Sequence, residues 1–264
     1  MVNPRLVAKI ESEEPTLRLA VLIDADNAQA VVIEGLLAEI ARFGEATVKR
    51  IYGDFTASTS ASWKKVLQKY AIKPMQQFAY TTGKNATDST LIIDAMDLLY
   101  TGKFDGFCLV TSDSDFTGLA MRLREEGLTV LGFGEKKTPE AFRNACHKFI
   151  FTEVLRPSTT NESIDQPLEG KERNKPPTST KLPEQQVFPK DFVLAALEQS
   201  TDDTGWANLG TFGSYLTKLQ PDFDSRLYGY KKLSDLVKDK TDLFMTEERQ
   251  VPGSHQKNLY LRAK

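Results

Sequence analysis

The feature that most constrains the fold is one short apolar run, because two aspartates follow it within five residues. The run is Gly106–Val110, and its length, apolar side chains and β-forming residues predict a buried strand. Residues 111–116 are polar and include Asp113 and Asp115, and the amphipathic residues after them predict a helix. An open α/β sheet binds its ligands at the edge where buried strands end and helices begin. The two aspartates therefore mark a candidate site.

The surrounding sequence alternates between predicted strands and predicted helices. Apolar runs predict strands at residues 17–23, 46–52, 72–78 and 128–133, and an apolar stretch at 149–155 closes the series. Apolar residues at helical spacing predict helices at residues 29–42, 60–70, 89–100, 116–126 and 138–146. Pro74 interrupts the third strand and indicates an edge position. The alternation predicts an α/β fold with a doubly wound, mainly parallel sheet.

Composition divides the chain into four parts. Residues 1–16 predict a loose leader, and residues 17–155 contain the α/β domain. Residues 156–186 are rich in Pro, Ser, Thr, Lys and Glu, which predicts a flexible linker. Residues 187–264 show three helical segments, the last at 227–237, and two short strands separated by Pro252 and Gly253. This last part predicts a small, winged-helix-like α+β domain.

Charge and cysteine content exclude several classes of protein. The formal net charge is −2, and residues 187–264 carry eleven Lys and Arg against eleven Asp and Glu. The chain therefore has no overall basic charge that would indicate nucleic-acid binding, although local basic patches are enough to bind nucleic acid. Cys108 and Cys146 provide neither a disulfide framework nor zinc spacing. The leader lacks the apolar core of a signal peptide and no apolar run approaches the roughly 20 residues of a membrane span, so we predict a cytoplasmic protein.

Four aspartates are predicted to meet at one edge of the sheet. Asp24 ends the first predicted strand, Asp88 opens the helix after the third, Asp113 follows the fourth, and Asp115 opens the next helix. These side chains converge if the first and fourth strands are neighbours. A cluster of carboxylate oxygens without His or Cys suits a hard cation, Mg²⁺ or Mn²⁺.

Other polar residues near these aspartates have less certain assignments. Asn27 follows the first aspartate by three residues and is placed to orient water or a phosphate, and Lys84 precedes the second and is placed to neutralise a phosphate. Asp26 is expected to face away from the cluster, and Asp94 is interpreted as a solvated or rim residue. Any one of the four aspartates is as readily explained as a helix N-cap, but four caps at one edge are harder to explain.

An ordered set of motifs over about residues 17–155 resembles the NYN domains, which belong to the PIN-like nuclease superfamily and include the LabA-like bacterial proteins. The matching residues are 24–27, 84–88, Leu91, Ile92, Asp94, Ala95, 112–116 and 132–134. The resemblance implies a Rossmann-like fold and a metal-dependent ribonuclease. Carried over by position, it implies that Asp24, Asp88 and Asp113 are metal ligands and catalytic, that Asp115 is a fourth carboxylate, and that Asn27 supports them.

The second domain resembles the OST-HTH/LOTUS module, which implies RNA binding or protein binding. The matching residues are 205–207, 209–210, 221–224 and 228–233. Within the last of these, Tyr228 and Tyr230 are predicted to stack on RNA bases, and Lys231 and Lys232 are predicted to contact phosphates. The alternative interpretation places both tyrosines in the core and both lysines on a solvated face.

Three hypotheses for the function follow. The first is a ribonuclease that uses Mg²⁺ or Mn²⁺, with Lys84, Lys136 and Lys137 holding the RNA backbone. The second is a phosphatase of the haloacid dehalogenase type, because Asp24 and Asp26 resemble its nucleophile and acid/base pair; Asn27 stands where that family has Thr or Val. The third is an adaptor that binds RNA or protein without turnover. Asp26 discriminates the first two, since only the phosphatase requires it.

Overall fold

The computed structural model describes residues 16–56, 61–78, 86–157, 187–250 and 257–264. The predicted leader, most of the predicted linker and Lys84 lie outside these residues. Within the described ranges, none of the helices combines the length and the apolar character needed to cross a membrane.

A parallel sheet of six strands forms the first domain. The strands are β1 (Arg18–Asp24), β2 (Glu45–Gly53), β3 (Lys73–Gln76), β4 (Gly106–Val110), β5 (Thr129–Gly134) and β6 (Lys148–Phe151). Their order is β3-β2-β1-β4-β5-β6, and every neighbouring pair is parallel. The chain reverses its winding between β1 and β4, which is the switch point where α/β sheets bind ligands. The predicted doubly wound fold is confirmed.

Helices cover both faces of this sheet. They are α1 (Ile33–Ile40), α2 (Ala61–Tyr70), α3 (Ala86–Tyr100), α4 (Thr117–Glu125) and α5 (Glu140–Ala145). Side chains alternate along a strand, so Leu19, Val21 and Ile23 of β1 belong to one apolar core, whereas Ala20 and Leu22 belong to the core on the other face. Burial on both faces explains why the central strands are continuous apolar runs.

Two details of the first domain bear on the site. The strand that contains Pro74 is β3, which pairs only with β2 and lies at the edge of the sheet, as predicted. Helix α3 begins at Ala86 rather than at residue 89, because its first turn is polar and the apolar spacing that predicted it starts only at Leu91. Asp88 therefore lies in the first turn of α3.

The second domain combines three helices with a small antiparallel sheet. The helices are α6 (Lys190–Ser200), α7 (Leu209–Leu219) and α8 (Leu233–Asp239), and the strands are β7 (Ala207–Asn208), β8 (Phe244–Gln250) and β9 (Lys257–Ala263) in the order β7-β9-β8. The predicted α+β class is confirmed. The helix predicted at residues 227–237 is broken, because a 3₁₀ turn over Ser225–Tyr228 ends at Gly229, whose φ of 88° is left-handed.

The second domain packs against the outer edge of β6. The Phe149 amide of β6 donates a hydrogen bond to the Pro221 carbonyl at 2.9 Å. Two ion pairs flank this contact, one between Arg143 and Asp222 and one in which Arg226 binds Glu39 with distances of 2.9 and 3.2 Å. The second domain thereby covers a sheet edge whose backbone groups would otherwise be open to another strand.

Candidate active site

The end of β1 carries a fully buried carboxylate. Asp24 has no exposed surface, and its Oδ2 accepts hydrogen bonds from Thr111 Oγ1 at 2.8 Å and from Asn27 Nδ2 at 2.7 Å. Its Oδ1 accepts one from the Asp26 amide at 3.0 Å. A buried charge is costly unless donors surround it, and here three donors fix the carboxylate in one orientation. Because Thr111 follows β4, Asp24 links the ends of the two strands at the switch point.

Asp113 occupies the loop after β4. Its amide donates to Thr111 Oγ1 at 3.1 Å, so the threonine hydroxyl that binds Asp24 also orients this loop. Asp113 Oδ1 accepts from the Asp115 amide at 2.9 Å and caps the 3₁₀ turn over Ser114–Phe116. Its other oxygen, Oδ2, accepts no hydrogen bond from any residue in the described ranges. Capping therefore uses one oxygen of Asp113 and leaves the second for a ligand.

The electrostatics of Asp88 show that the four predicted aspartates lie near one another. Asp88 is half-buried. The pKa of its carboxyl is raised to about 6, first by burial and then by the negative charges of four aspartates, which are Asp24, Asp113, Asp26 and Asp115. The N-terminus of α3 therefore faces the ends of β1 and β4. The four charges that raise this pKa are all carboxylates of aspartates, so these carboxylates repel one another.

Two further aspartates join this edge, and the sequence analysis did not place them there. Asp26 was expected to face away, but the pKa of its carboxyl is raised by burial, by Asp24 and by Asp54, and lowered by a hydrogen bond with Thr87. Asp54 follows β2, the strand beside β1. The signal that could have identified it was its position two residues after the predicted strand at 46–52, because Asp24 and Asp113 follow their predicted strands by one and three residues.

The donor set fits a hard divalent cation. All the clustered groups are carboxylates, which are ligands that Mg²⁺ and Mn²⁺ accept, and their mutual repulsion is relieved by a cation. In the described part of the chain, however, no three His, Cys, Asp or Glu side chains are already arranged to hold a metal ion together. The chemistry of the cluster, rather than a formed metal centre, is what points to a cation.

The comparison with known families agrees with this geometry. The model of the NYN domain matches residues 18–155, more than half of the chain and the whole parallel sheet. The chain belongs to the NYN domain family. The model of the OST-HTH/LOTUS domain matches residues 187–255. NYN domains are generally nucleases of the PIN-like group, and OST-HTH/LOTUS domains bind RNA. Both predicted family assignments are therefore confirmed.

Several solved structures are similar to parts of the chain. A solution NMR structure of an uncharacterized protein from Nitrosomonas europaea is 70% identical over 37% of this chain and 92% of its own, with a TM-score of 0.30. One from Chromobacterium violaceum is 32% identical over 30% of this chain and 84% of its own, with a TM-score of 0.24. A crystal structure of a Vibrio parahaemolyticus protein of unknown function is 16% identical over 53% of this chain and 95% of its own, with a TM-score of 0.45. No curated protein matches the chain.

Helix α3 of the NYN domain is fixed by a second acidic residue. Asp94 was interpreted as a solvated or rim residue, but it is half-buried, pairs with Arg50 and accepts a hydrogen bond from the Tyr52 hydroxyl. Burial and this contact raise the pKa of Tyr52. Since Arg50 and Tyr52 belong to β2, the network attaches α3 to the sheet and thereby positions Asp88.

The predicted basic residues of the NYN domain are only partly described. Lys136 and Lys137 are exposed in the loop after β5, at the same edge as the aspartates, because β5 is the neighbour of β4. Lys137 Nζ lies 3.0 Å from Glu135 Oε2. Lys84 lies outside the described residues.

The predicted aromatic and basic patch of the OST-HTH domain divides into two parts. The Tyr228 ring packs edge-to-face against Phe188, with centroids 5.4 Å apart, and burial raises the pKa of its hydroxyl to about 12. The Tyr228 ring is half-buried and packs against the domain core, in the direction of the alternative interpretation, and its stacking on RNA bases stays a prediction. Tyr230 donates a hydrogen bond to Asp239. Lys231 and Lys232 are exposed.

Proposed function

We propose that this NYN domain is a metal-dependent ribonuclease that hydrolyses RNA phosphodiester bonds at the aspartate cluster. The observation that carries the proposal is the half-buried Asp88, whose pKa of about 6 reflects burial and four other carboxylates around it. RNA is a polyanion and is repelled by such a cluster. A divalent cation removes this repulsion, so the same feature that disfavours RNA alone favours RNA together with Mg²⁺ or Mn²⁺.

The side chains have distinct roles in this proposal. Asp24, Asp88 and Asp113 hold the cation, and Asp115 adds a fourth carboxylate. Bound Mg²⁺ or Mn²⁺ supplies Lewis-acid chemistry, polarising the phosphoryl group and lowering the pKa of an attacking water. Asn27 donates its amide to Asp24, which leaves its carbonyl oxygen to accept a hydrogen bond from that water.

The remaining residues bind substrate. Lys136 and Lys137 contact the RNA backbone next to the cluster, with Lys84 proposed to do the same. Such contacts are blind to sequence and weaken as salt rises. The OST-HTH domain raises the local concentration of RNA near the NYN domain. A protein partner of the OST-HTH domain is compatible with this function.

The burial of Asp24 argues against the phosphatase hypothesis. A phosphatase of the haloacid dehalogenase type needs the first aspartate of its pair as a nucleophile, open to the substrate. Asp24 has no exposed surface, and its oxygens accept three hydrogen bonds. A nucleophile needs an open approach to phosphorus, which this burial denies. A cation ligand needs one free lone pair, and Asp24 Oδ1 keeps one because it accepts a single hydrogen bond.

The test is cleavage of end-labelled single-stranded RNA by the full chain with Mn²⁺, Mg²⁺ or EDTA. We expect cleavage with either metal, none with EDTA, and none from the Asp113→Asn variant. The Asp97→Asn variant is the matched control, because Asp97 is an exposed residue of α3 outside the cluster. Equal cleavage by Asp113→Asn would refute the site, whereas RNA binding without any cleavage would favour the adaptor.

A further inference from the structure

A basic crevice lies between the two domains. It is at the end of the parallel sheet where the strands start, whereas the aspartates are at the end where the strands finish. Its volume is about 330 Å³. The NYN domain contributes Arg42 and Lys148 to its wall, and the OST-HTH domain contributes Lys231 and Lys232. Arg42 follows α1, which returns from the end of β1, and Lys148 begins β6. Both residues therefore lie where the parallel strands start, not where they end.

The acidic residues of the crevice are already neutralised. Besides the four cations named above, its wall contains Arg226 and two carboxylates, Glu39 and Asp224. Arg226 binds Glu39 at 2.9 and 3.2 Å and Asp224 at 2.6 and 3.0 Å. Glu39 also accepts two hydrogen bonds from Arg42, both at 3.2 Å. Five cationic groups thus face two carboxylates, which engage the two arginines and leave the three lysines in excess. The crevice keeps a clear excess of positive charge after its internal ion pairs are counted.

Lys148 is the residue that most needs a ligand. It is half-buried, and burial lowers the pKa of its ammonium group. The charges of Asp224 and Glu39 act on it, but among the described residues neither forms a hydrogen bond with its Nζ, and no ion pair within 4.0 Å includes it. A partly desolvated ammonium group gains from an anion that can accept its hydrogen bonds.

We propose that this crevice binds phosphate groups of the RNA backbone through Lys148, Arg42, Lys231 and Lys232. Cations contributed by two domains along an open crevice fit successive phosphates of one strand better than a single small anion. This inference rests on the proposed function in one respect, which is that RNA is the substrate. It assigns Lys231 and Lys232 a shared site with residues of the NYN domain.

The position of the crevice sets a length requirement on the substrate. The seven residues of β1 separate the starting edge of the sheet from Asp24. At about 3.3 Å per residue, the two sites are roughly 20 Å apart along the strand direction alone, and the crevice is also displaced sideways towards β6. Only RNA long enough to reach from the crevice to the aspartates is held at both places. Short RNA reaches the aspartates without this additional binding.

The test measures binding of fluorescent single-stranded RNA to the full chain in EDTA, so that cleavage plays no part. We expect the Lys148→Gln variant and the Lys231→Gln/Lys232→Gln variant each to bind about tenfold more weakly. The slope of log affinity against log salt should become shallower by about 0.7 for each lysine removed. Lys73→Gln is the matched control, because Lys73 is exposed on β3 at the other side of the sheet.

Three outcomes decide the proposal. Weaker binding and a shallower salt slope in both crevice variants, but not in Lys73→Gln, support it. Unchanged affinity in the Lys231→Gln/Lys232→Gln variant overturns it. Weaker binding by this variant is not ascribed to a folding defect, because it changes only exposed side chains. Displacement of RNA by millimolar inorganic phosphate or AMP also overturns it, since the crevice then binds small anions. Because no outcome depends on cleavage, failure here is distinguishable from failure of the ribonuclease proposal.

Discussion

One buried ion pair lies across the contact between the two domains, and removing its negative charge should weaken their docking. Glu39 is 6% exposed and accepts hydrogen bonds from Arg226 of the OST-HTH domain. It also accepts two bonds from Arg42, a side chain that is 68% exposed. The Glu39→Gln variant keeps the shape of the side chain and removes its charge. Arg226 then loses one of its two carboxylate partners.

The expected cost follows from burial and the remaining partner. Removing one member of a buried ion pair costs about 3–5 kcal/mol when the other charge is left alone. Arg226 keeps Asp224, bound at 2.6 and 3.0 Å, and the glutamine still offers one acceptor oxygen. We therefore expect a cost of about 2 kcal/mol to docking, which lowers the docking equilibrium constant roughly 30-fold.

Hydrogen exchange of one amide reports this docking directly. Phe149 donates its amide hydrogen to the Pro221 carbonyl across the domain boundary. In the Glu39→Gln variant, exchange at Phe149 measured by NMR should accelerate by roughly 30-fold, while amides in the centre of β1 exchange at the wild-type rate. Arg42→Gln is the control and should change Phe149 little, because exposed ion pairs contribute about 0–1 kcal/mol. Wild-type exchange at Phe149 in Glu39→Gln would refute the reasoning.

Two further predictions concern titratable groups. The Asp88→Asn variant should melt at a higher temperature than the wild type in EDTA, because it removes one charge from a cluster of repelling carboxylates. Mn²⁺ should raise the melting temperature of this variant less than that of the wild type. An identical response to Mn²⁺ would contradict the assignment of Asp88 to the cluster. The His147 ring accepts a hydrogen bond from a backbone amide at 3.0 Å, and burial lowers its pKa below the usual 6.5. The unfolded chain therefore takes up this proton more readily, so the contribution of His147 to stability is present above pH 6.5 and declines as the pH falls below it. Urea unfolding between pH 5 and 8 should show this loss in the wild type and a smaller one in His147→Gln.

The sequence predicted the sheet and its ligand edge because both depend on local patterns. A strand buried on both faces, such as Gly106–Val110, is a continuous apolar run whatever its neighbours are. An aspartate within three residues after the end of a strand lies at the carboxyl edge of the sheet. This rule placed Asp24 and Asp113, and applied evenly it would also have placed Asp54. The aspartates were expected to converge if the first and fourth strands are neighbours, and these two strands do pair.

The domain contact could not be predicted in this way, because its partners are far apart in the sequence. Arg226 and Glu39 are separated by 187 residues, and Arg143 and Asp222 by 79. No periodicity or motif relates such pairs. The break of the last predicted helix at Gly229 has a different cause, since the apolar spacing continues across it and only the backbone conformation of the glycine ends the turn.

The charge distribution over the NYN sheet also constrains how RNA would bind under the two proposals. Carboxylates collect at the edge where the strands end, whereas Arg42 and Lys148 lie at the edge where they start. Monovalent salt weakens binding to the cationic edge, and divalent cations are needed at the acidic edge. One RNA strand can therefore bind at both ends of the sheet only when the concentration of divalent cations is high and that of monovalent salt is low.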